Sequence, residues 1–229
     1  MLQEVRIKHM DSNIFLKEYF SPLLAIIAGI LAFNYFNGFW KLLFIQVLLY
    51  VLTIKIVYEI TPGLQTNSNH WFYNGYLIIE VGLLCIAPLF YFKDKAAKRS
   101  IILSYIFYLL TFVAQLYFGG LERFANYAFA AAGLVLSVIY GSILFLEFRS
   151  GIKWQSSPLI WMSAGLILFF ACNIPYFSLF NYLNKYYLTE SRFLFNFITD
   201  VLANIRYLLL AFSFFLLRRN YLLSQNPQS

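Results

Sequence analysis

The side chains of this chain that could do chemistry are a few ionisable and amide groups inside long apolar stretches. Glu80 and Arg206 lie near the middle of such stretches, whereas Lys55, Asp200 and Asn204 lie closer to their ends. An ionisable group in hydrocarbon costs roughly 2.5–3.5 kcal/mol on insertion scales, so such residues usually face the interior of a helix bundle and mark function. The chemistry expected of them is ion pairing, acid–base work or the binding of a polar ligand group.

The spacing of these groups places them at one level of the predicted bundle, from the midplane to the outer leaflet. Asp200 and Asn204 are four residues apart and share one helical face. Asn173 precedes Pro175, which removes a backbone hydrogen bond and is expected to kink its helix. The predicted ligand-binding residues are Lys55, Glu80, Asn173, Asp200, Asn204 and Arg206.

Two arrangements of these charges remain open from the sequence. In one, Glu80 is buried against Arg206 or Lys55, and Asp200 takes the other cation, because buried charges are tolerated when they are paired. In the other, Lys55 pairs with Glu59 one turn on at the membrane interface. Separately, Glu80 and Arg206 are either a structural ion pair that locks two helices together or part of a pocket or pathway that uses them.

The elements that must hold these groups are membrane-spanning helices. The chain has 229 residues, of which 61% are hydrophobic and 12% charged, and its mean hydropathy is +0.69. A soluble domain carries about a quarter charged residues, and a β-barrel would alternate apolar and polar positions over about 10 residues. The net charge of +7 sits in short loops beside apolar runs, which favours lipid headgroups over nucleic acid. The sequence therefore predicts an all-α polytopic membrane protein.

Seven stretches have the length of about 20 residues that a spanning helix needs. They predict a seven-transmembrane-helix bundle over 20–218, with a short interfacial segment at 1–19 that lacks signal-peptide features and a short tail at 219–229. The predicted spans are 20–37, 40–60, 71–92, 101–118, 126–148, 158–182 and 194–217.

The distribution of Lys and Arg in the loops predicts the orientation. The side that carries the N-terminus has six basic residues: Arg6, Lys8, Lys17, Arg123, Lys185 and Arg192. The opposite side has nine: Lys41, Lys93, Lys95, Lys98, Arg99, Arg149, Lys153, Arg218 and Arg219. We therefore expect the N-terminus outside and the C-terminus in the cytoplasm.

Several kinds of site are not expected. Cys85 and Cys172 fall in apolar segments and are predicted to be buried small hydrophobes rather than a disulfide or metal pair. With His9 and His70 as its two histidines, the chain predicts no metal site, no cofactor and no catalytic triad. Its connections are too short for a soluble output domain, so a signal would have to leave through helix motion that a separate partner protein reads.

Small residues at four-residue spacing predict close helix contacts. In the fifth span they are Gly133, Ser137 and Gly141. Such ridges serve contacts within a bundle as well as contacts between copies, so a homo-oligomer through this ridge is one of the two expectations.

Three stretches carry a resemblance to a known group of proteins. They are Asn69-His70-Trp71-Phe72-Tyr73-Asn74 leading to Glu80, Ser157-Pro158-Leu159-Ile160-Trp161, and Asn204-Ile205-Arg206-Tyr207. Together they are similar to small seven-helix integral membrane proteins of Bacteroidota-type bacteria. The resemblance implies a bacterial inner membrane and carries no activity with it.

Three functions stay open at this point. The first is a sensor or accessory protein that binds a small or lipidic ligand in an outer-half pocket and signals through a partner. The second is a small-solute transporter or channel that uses the same charges as a route. The third is a membrane-embedded lipid-modifying enzyme in which Glu80 or Asp200 acts as acid or base. The missing nucleophile–base set makes an enzyme the least favoured of the three.

Overall fold

The computed structural model describes residues 12–60, 70–120 and 124–225, without the side chains of residues 12–18, 58–60 and 199. The predicted interfacial segment before residue 12, the loop at 61–69, residues 226–229 of the predicted tail and the side chain of Glu59 lie outside this description. All regular structure in the described residues is helical. The helices are α1 Ser12–Ala32, α2 Gly38–Ile60, α3 His70–Ile86, α4 Lys95–Gly119, α5 Asn126–Arg149, α6 Pro158–Ser178, α7 Phe180–Tyr186, α8 Leu188–Asn196 and α9 Ala203–Gln225.

The starts of three helices follow from capping residues in the sequence. The side chain of Asn37 accepts a hydrogen bond from the Trp40 amide at 3.2 Å, just before α2. Asp94 accepts one from the Ala97 amide at 3.0 Å and so caps α4. Ser157 caps α6, with Pro158 at the first helical position. Polar caps and N-terminal prolines are what helix starts prefer, because the first amides have no partner inside the helix.

Within the described residues, six helical segments are long and apolar enough to cross a membrane. They are Gly38–Val57, His70–Phe90, Lys95–Gly119, Asn126–Arg149, Pro158–Ser178 and Leu188–Gln225. A shorter apolar helix covers Tyr19–Tyr35. Large apolar side chains remain exposed on the outside of the bundle, among them Phe107, Leu110 and Val113 of α4. The prediction of a helical membrane bundle is confirmed at this level.

The last third of the chain differs from the predicted spans. The sixth predicted span continued to residue 182, but α6 ends at Ser178 and the short α7 follows. Pro175 therefore stands in the last turn of α6, where it marks the end of the helix rather than a bend in its middle. The final helical segment begins earlier than predicted, at Leu188, and contains a π-helical turn at Phe197–Leu202.

The helices pack in a ring around a common core. α5 packs along α6, α6 along α9, α9 along α1, α1 along α2, and α2 along α3, while α3 returns to α5 and α4 lies against both. We call the end where α2 stops and α3 starts the His70 end, and the opposite end, where α4 starts, the Lys95 end.

Two glycines let the helices of this ring approach closely. A Cβ atom on Gly133 of α5 would lie 2.8 Å from the backbone oxygen of Phe170 on α6. A Cβ atom on Gly165 of α6 would lie 3.1 Å from the Cβ of Leu209 on α9. Small residues at such positions allow the close backbone contacts that membrane bundles use. Gly133 of the predicted ridge thus serves a contact inside the chain, whereas Gly141 has no atom within 4 Å of such a Cβ.

Candidate functional site

A buried ion pair joins α3 to α9 in the middle of the bundle. The Nη2 atom of Arg206 lies 2.7 Å from Oε1 of Glu80, and the two side chains are 2% and 5% exposed. The predicted burial of Glu80 against Arg206 is confirmed. Because the two opposite charges meet in one contact, each satisfies the other without help from solvent.

Polar groups from α2 and the neighbouring turns complete this cluster. The side-chain amide of Gln46 donates to Oε1 of Glu80 at 2.9 Å and lies 3.0 Å from the Tyr76 hydroxyl and 3.4 Å from the Tyr207 hydroxyl. Gln46 was not among the site residues predicted from the sequence. It could have been found as a single amide within the apolar run of α2, because a buried amide needs a hydrogen-bond partner on another helix.

The guanidinium of Arg206 is also surrounded by aromatic rings. Its Cζ atom lies 4.9 Å from the ring centre of Phe169, 5.0 Å from that of Phe170 and 5.1 Å from that of Tyr207. These distances fall within the range of cation–π attraction, which is worth about 2 kcal/mol or more for a desolvated pair. A Cβ atom on Gly165 would lie 3.3 Å from the Arg206 carbonyl oxygen. The lack of a side chain at Gly165 therefore lets α6 and α9 approach closely.

A cavity of about 550 Å³ opens above the ion pair, toward the His70 end. Glu80, Arg206, Tyr76 and Tyr207 form its floor, and aromatic side chains of six helices form most of its walls. The mouth carries Asn184, Ser191, Arg192 and Asn196, from α7 and α8. This volume is in the range that holds small ligands, and the apolar wall with a few convergent polar groups is typical of such sites.

The space on the Lys95 side of the floor is filled by side chains. Trp40 and Leu43, about two turns and one turn before Gln46 on α2, are 4% and 1% exposed. Phe214, two turns after Arg206 on α9, is fully buried and contacts the rings of Trp40 and Phe36. None of these residues lines the cavity. The cavity is therefore blind at its floor among the described residues.

Four of the six predicted ligand-binding residues do not line this cavity. Asn204 turns toward α1, where it accepts a hydrogen bond from the Ser21 hydroxyl, and its amide donates to the Asp200 carbonyl. Asp200 is partly buried in the π-helical turn, and Lys55 is exposed on α2. The face shared by Asp200 and Asn204 thus differs from the face that carries Arg206.

Asn173, the fourth of these residues, is fully buried on α6. Neither its amide nitrogen nor its carbonyl oxygen has a hydrogen-bond partner among the described residues. The same holds for Nε of Arg206 and Oε1 of Gln46. A buried polar atom without a partner costs about 1–3 kcal/mol, and of these three residues Arg206 is the one that lines the cavity.

A network of side-chain amides fixes the His70 end beside the cavity. Gln115 of α4 donates to Oδ1 of Asn126 at 2.8 Å and accepts from the Ala128 amide at 2.9 Å. Asn126 in turn donates to the Phe177 carbonyl at 3.0 Å, and Asn74 accepts from the Ala125 amide at 2.9 Å. These bonds satisfy the first amides of α5, which otherwise lack partners. They hold in place the segment that carries Phe124 and Phe129 into the cavity wall.

A second buried carboxylate lies at the Lys95 end. Oε1 of Glu147 accepts from the Tyr91 hydroxyl at 3.1 Å, and Oε2 accepts from the Ser157 hydroxyl at 2.8 Å. Glu147 is 7% exposed and has no ion pair with any described residue. Burial, followed by the charge and the hydrogen bond of Glu147, raises the pKa of Tyr91 to about 12. The sequence analysis missed this cluster, because Glu147 lies next to Arg149 and resembles an ordinary interfacial charge.

Other chemistry finds no support in the described residues. They contain no group of three or more His, Cys, Asp or Glu side chains that could hold a metal ion. Cys85 is buried as predicted, but the prediction for Cys172 is wrong, since its side chain is exposed on α6. That exposure is compatible with an outward, lipid-facing position, as a small apolar side chain needs no burial in protein when the solvent is hydrocarbon.

No protein-family model, no curated protein and no solved structure matches the chain.

Proposed function

We propose that the chain crosses a bacterial inner membrane seven times, with its N-terminus outside and its C-terminus in the cytoplasm. The seventh crossing would be α1, whose apolar part Tyr19–Tyr35 is short for a span but packs along the full-length segment that contains α9. The excess of Lys and Arg at the Lys95 end supports that orientation. In this arrangement the cavity opens toward the outer leaflet.

We propose further that the protein is a membrane sensor or accessory protein that binds a small or lipidic ligand in the 550 Å³ cavity. The observation that carries the proposal is the position of a buried ion pair at the floor of an otherwise apolar cavity. A purely structural ion pair needs no cavity beside it, because close packing around the pair stabilises the bundle better than an empty volume does.

The effect of ligand binding would be transmitted along the last helical segment. The segment Leu188–Gln225 carries the mouth residue Arg192, the π-helical turn and Arg206 of the floor. Its far end is tied to the Lys95 end, where the side chain of Asn220 donates to the Ser156 carbonyl at 2.8 Å. π-helical turns are frequent at functional sites. We propose that ligand binding shifts this segment and that a separate partner protein reads the shift.

A transport function is less well supported by the same geometry. A translocation route needs a path on both sides of the charges, and the Lys95 side of the floor is filled by Trp40, Leu43 and Phe214. An enzymatic function would need a nucleophile or base that touches a substrate, and Glu80 is already engaged by Arg206 and Gln46. A homo-oligomer through Gly133, Ser137 and Gly141 stays a prediction, to which the internal contact of Gly133 lends no support.

The experiment that tests the binding proposal uses two matched variants of α9. Ala203 lines the cavity and Ala211, eight residues further on the same helix, does not. The protein and each variant would be purified in lipid nanodiscs, and co-purifying small molecules would be identified by mass spectrometry after extraction. We expect a molecule that is retained by the parent chain and by Ala211→Leu but lost from Ala203→Leu.

Two outcomes would contradict the proposal. One is that no molecule is enriched over empty nanodiscs and that none of the lipids extracted from the source membrane stabilises the parent chain against heat. The other is that the enriched molecule is retained equally by Ala203→Leu and Ala211→Leu, which would place it on the outer surface of the bundle.

A further inference from the structure

We infer that the cavity selects an uncharged, flat, ring-bearing molecule whose hydroxyl, carbonyl or amide group points at the Glu80–Arg206 floor. This inference rests on the proposed function and specifies the chemical class of its ligand. It depends on three features: the charge balance of the floor, the composition of the walls and the hydrogen-bonding atoms left at the base.

The charge balance of the floor disfavours a charged ligand group. Glu80 and Arg206 neutralise each other at 2.7 Å, and both are almost completely buried. A ligand carboxylate or phosphate would compete with Glu80 for Arg206 and would place a second negative charge beside the first. A ligand ammonium would compete with Arg206 for Glu80 and would place a second positive charge beside that of Arg206. Either would bring an unpaired charge into a region of low dielectric, where desolvation costs several kcal/mol per ion.

The walls favour a planar ring. Half of the 22 side chains that line the cavity are Phe or Tyr. Near the floor, the rings of Phe169 and Tyr207 also contact the guanidinium of Arg206 at 4.9 and 5.1 Å. Rings prefer offset-stacked or edge-to-face neighbours at 4.5–7 Å between centres, worth about 0.5–1.5 kcal/mol beyond the buried area. A flat ring system can make several such contacts at once, which a saturated acyl chain cannot.

The base of the cavity offers both a donor and an acceptor to an uncharged group. Arg206, Tyr76 and Tyr207 line the cavity at this point. Nε of Arg206 has no acceptor among the described residues, and the hydroxyls of Tyr76 and Tyr207 each lie within hydrogen-bonding distance of the Gln46 amide. A hydroxyl or amide on the ligand can donate and accept at once, so it matches this base without disturbing the ion pair.

Four related probes separate these features: 2-naphthol, naphthalene, 2-naphthoate and 2-naphthylmethylammonium. They share one ring system and differ in the presence of a hydrogen-bonding group and in its charge. Binding to the protein in nanodiscs would be measured by equilibrium dialysis, with empty nanodiscs subtracted to remove partition into lipid. We expect 2-naphthol to bind at least tenfold more tightly than either ion and several-fold more tightly than naphthalene.

Two variants locate that preference at the floor. In Tyr76→Phe, which keeps the ring and loses the hydroxyl, the advantage of 2-naphthol over naphthalene should shrink, while the binding of naphthalene stays within twofold. In Ala203→Leu the binding of both should fall together, and in Ala211→Leu neither should change. Folding of each variant would be checked by circular dichroism before the comparison is made.

The outcomes distinguish this inference from the proposed function. Binding of 2-naphthoate or of the ammonium probe as tight as that of 2-naphthol, and sensitive to Ala203→Leu, would overturn the uncharged class while leaving the cavity as the binding site. Failure of all four probes to bind would overturn the ring-bearing class, and the co-purified molecule would still decide the proposed function. A preference for 2-naphthol over naphthalene that is undiminished in Tyr76→Phe would overturn the inference as well.

Discussion

The two buried carboxylates of this bundle are held in different ways. Glu80, at mid-height in α3, meets the full positive charge of Arg206 at 2.7 Å and the amide of Gln46 at 2.9 Å. Glu147, in the last turns of α5, is held by the hydroxyls of Tyr91 and Ser157 and by no cation among the described residues. A carboxylate in the middle of a hydrocarbon slab is far from water and needs an opposite charge. One near the end of a span is close enough to the interface for neutral donors to suffice.

The difference also bears on function. The Glu80 cluster lies at the floor of the cavity and leaves polar atoms without partners, whereas Glu147 does not line that cavity and both of its oxygens accept hydrogen bonds. Ser157 joins α6 to Glu147 through its cap position, so the second cluster fixes a helix start. We interpret the first cluster as a binding floor and the second as a structural clamp, and the following variants test that contrast.

The largest effect is expected from Arg206→Met, which leaves the Glu80 carboxylate buried without a cation. Breaking a buried pair in this way costs about 3–5 kcal/mol. The free energy of unfolding would be measured by SDS titration in mixed micelles with circular dichroism as the signal. The double variant Glu80→Gln/Arg206→Met should regain most of the loss, because no charge then remains unpaired.

The exposed Arg192 at the mouth provides the control for that variant. Arg192→Met should change the unfolding free energy by less than about 0.5 kcal/mol, as surface substitutions usually do. If Arg206→Met cost no more than about 1 kcal/mol, the pair would resemble an exposed salt bridge and the contrast with Glu147 would disappear.

An intermediate effect is expected from a matched pair of glycines on α5. Gly133→Ala places a Cβ 2.8 Å from the Phe170 carbonyl and 2.9 Å from Ile174, next to the rings that surround Arg206. Overpacking of this kind costs about 1–3 kcal/mol. Gly141→Ala, two turns nearer to Glu147, meets no atom within 4 Å and should gain about 0.5–1 kcal/mol from helix propensity. Equal effects of the two substitutions in the same SDS titration would show that α5 packs no more closely beside the floor than beside the clamp.

The smallest effect is expected from Glu147→Gln, which keeps the shape of the clamp and removes its charge. The amide oxygen can still accept a hydroxyl, so the cost should be about 1 kcal/mol. The pKa of Tyr91 should fall from about 12 toward its ordinary value near 10, without reaching it, because burial remains the main cause of the shift. Phenolate absorbance during a pH titration, with Tyr91→Phe as the blank, measures that change.

The sign of the linked pH effect can be checked in the same series. Tyr91 has a folded-state pKa above its unfolded value, so the stability that it contributes is complete below pH 10 and is lost as the pH rises through about 12. Glu147→Gln should reduce this alkaline loss. A Tyr91 pKa unchanged in Glu147→Gln would mean that the carboxylate does not act on the phenol and that the clamp is wrongly assigned.

Hydropathy and capping residues along the chain were enough to predict a helical membrane protein and most of its helices. Apolar stretches of spanning length are separated by Asn37-Gly38, Lys93-Asp94 and Ser157-Pro158, which mark helix boundaries. The stretches themselves are helical because the backbone must hydrogen-bond internally in hydrocarbon. The free-energy cost of placing an ionisable group in hydrocarbon singled out Glu80 and Arg206, because two opposite charges at mid-depth are stabilised by pairing with each other. These inferences need only local information, namely hydropathy, capping residues and depth.

Which polar residues share a site could be read from the packed helices alone. Gln46 lies beside Glu80 at the floor, whereas Asn204 faces away from it and accepts a hydrogen bond from Ser21 of α1. The reason is that the rotation of each helix about its axis is set by packing against its neighbours. The close contact at Gly165 fixes how α6 and α9 face each other. Glu147 was not singled out from the sequence, and the fold alone places it beside Tyr91 and Ser157. The depth of a residue in the membrane can be counted along one helix, so the sequence predicted the level at which the polar residues lie. The direction in which a side chain points depends on how several helices pack together. The residues that form the site are therefore known from the fold.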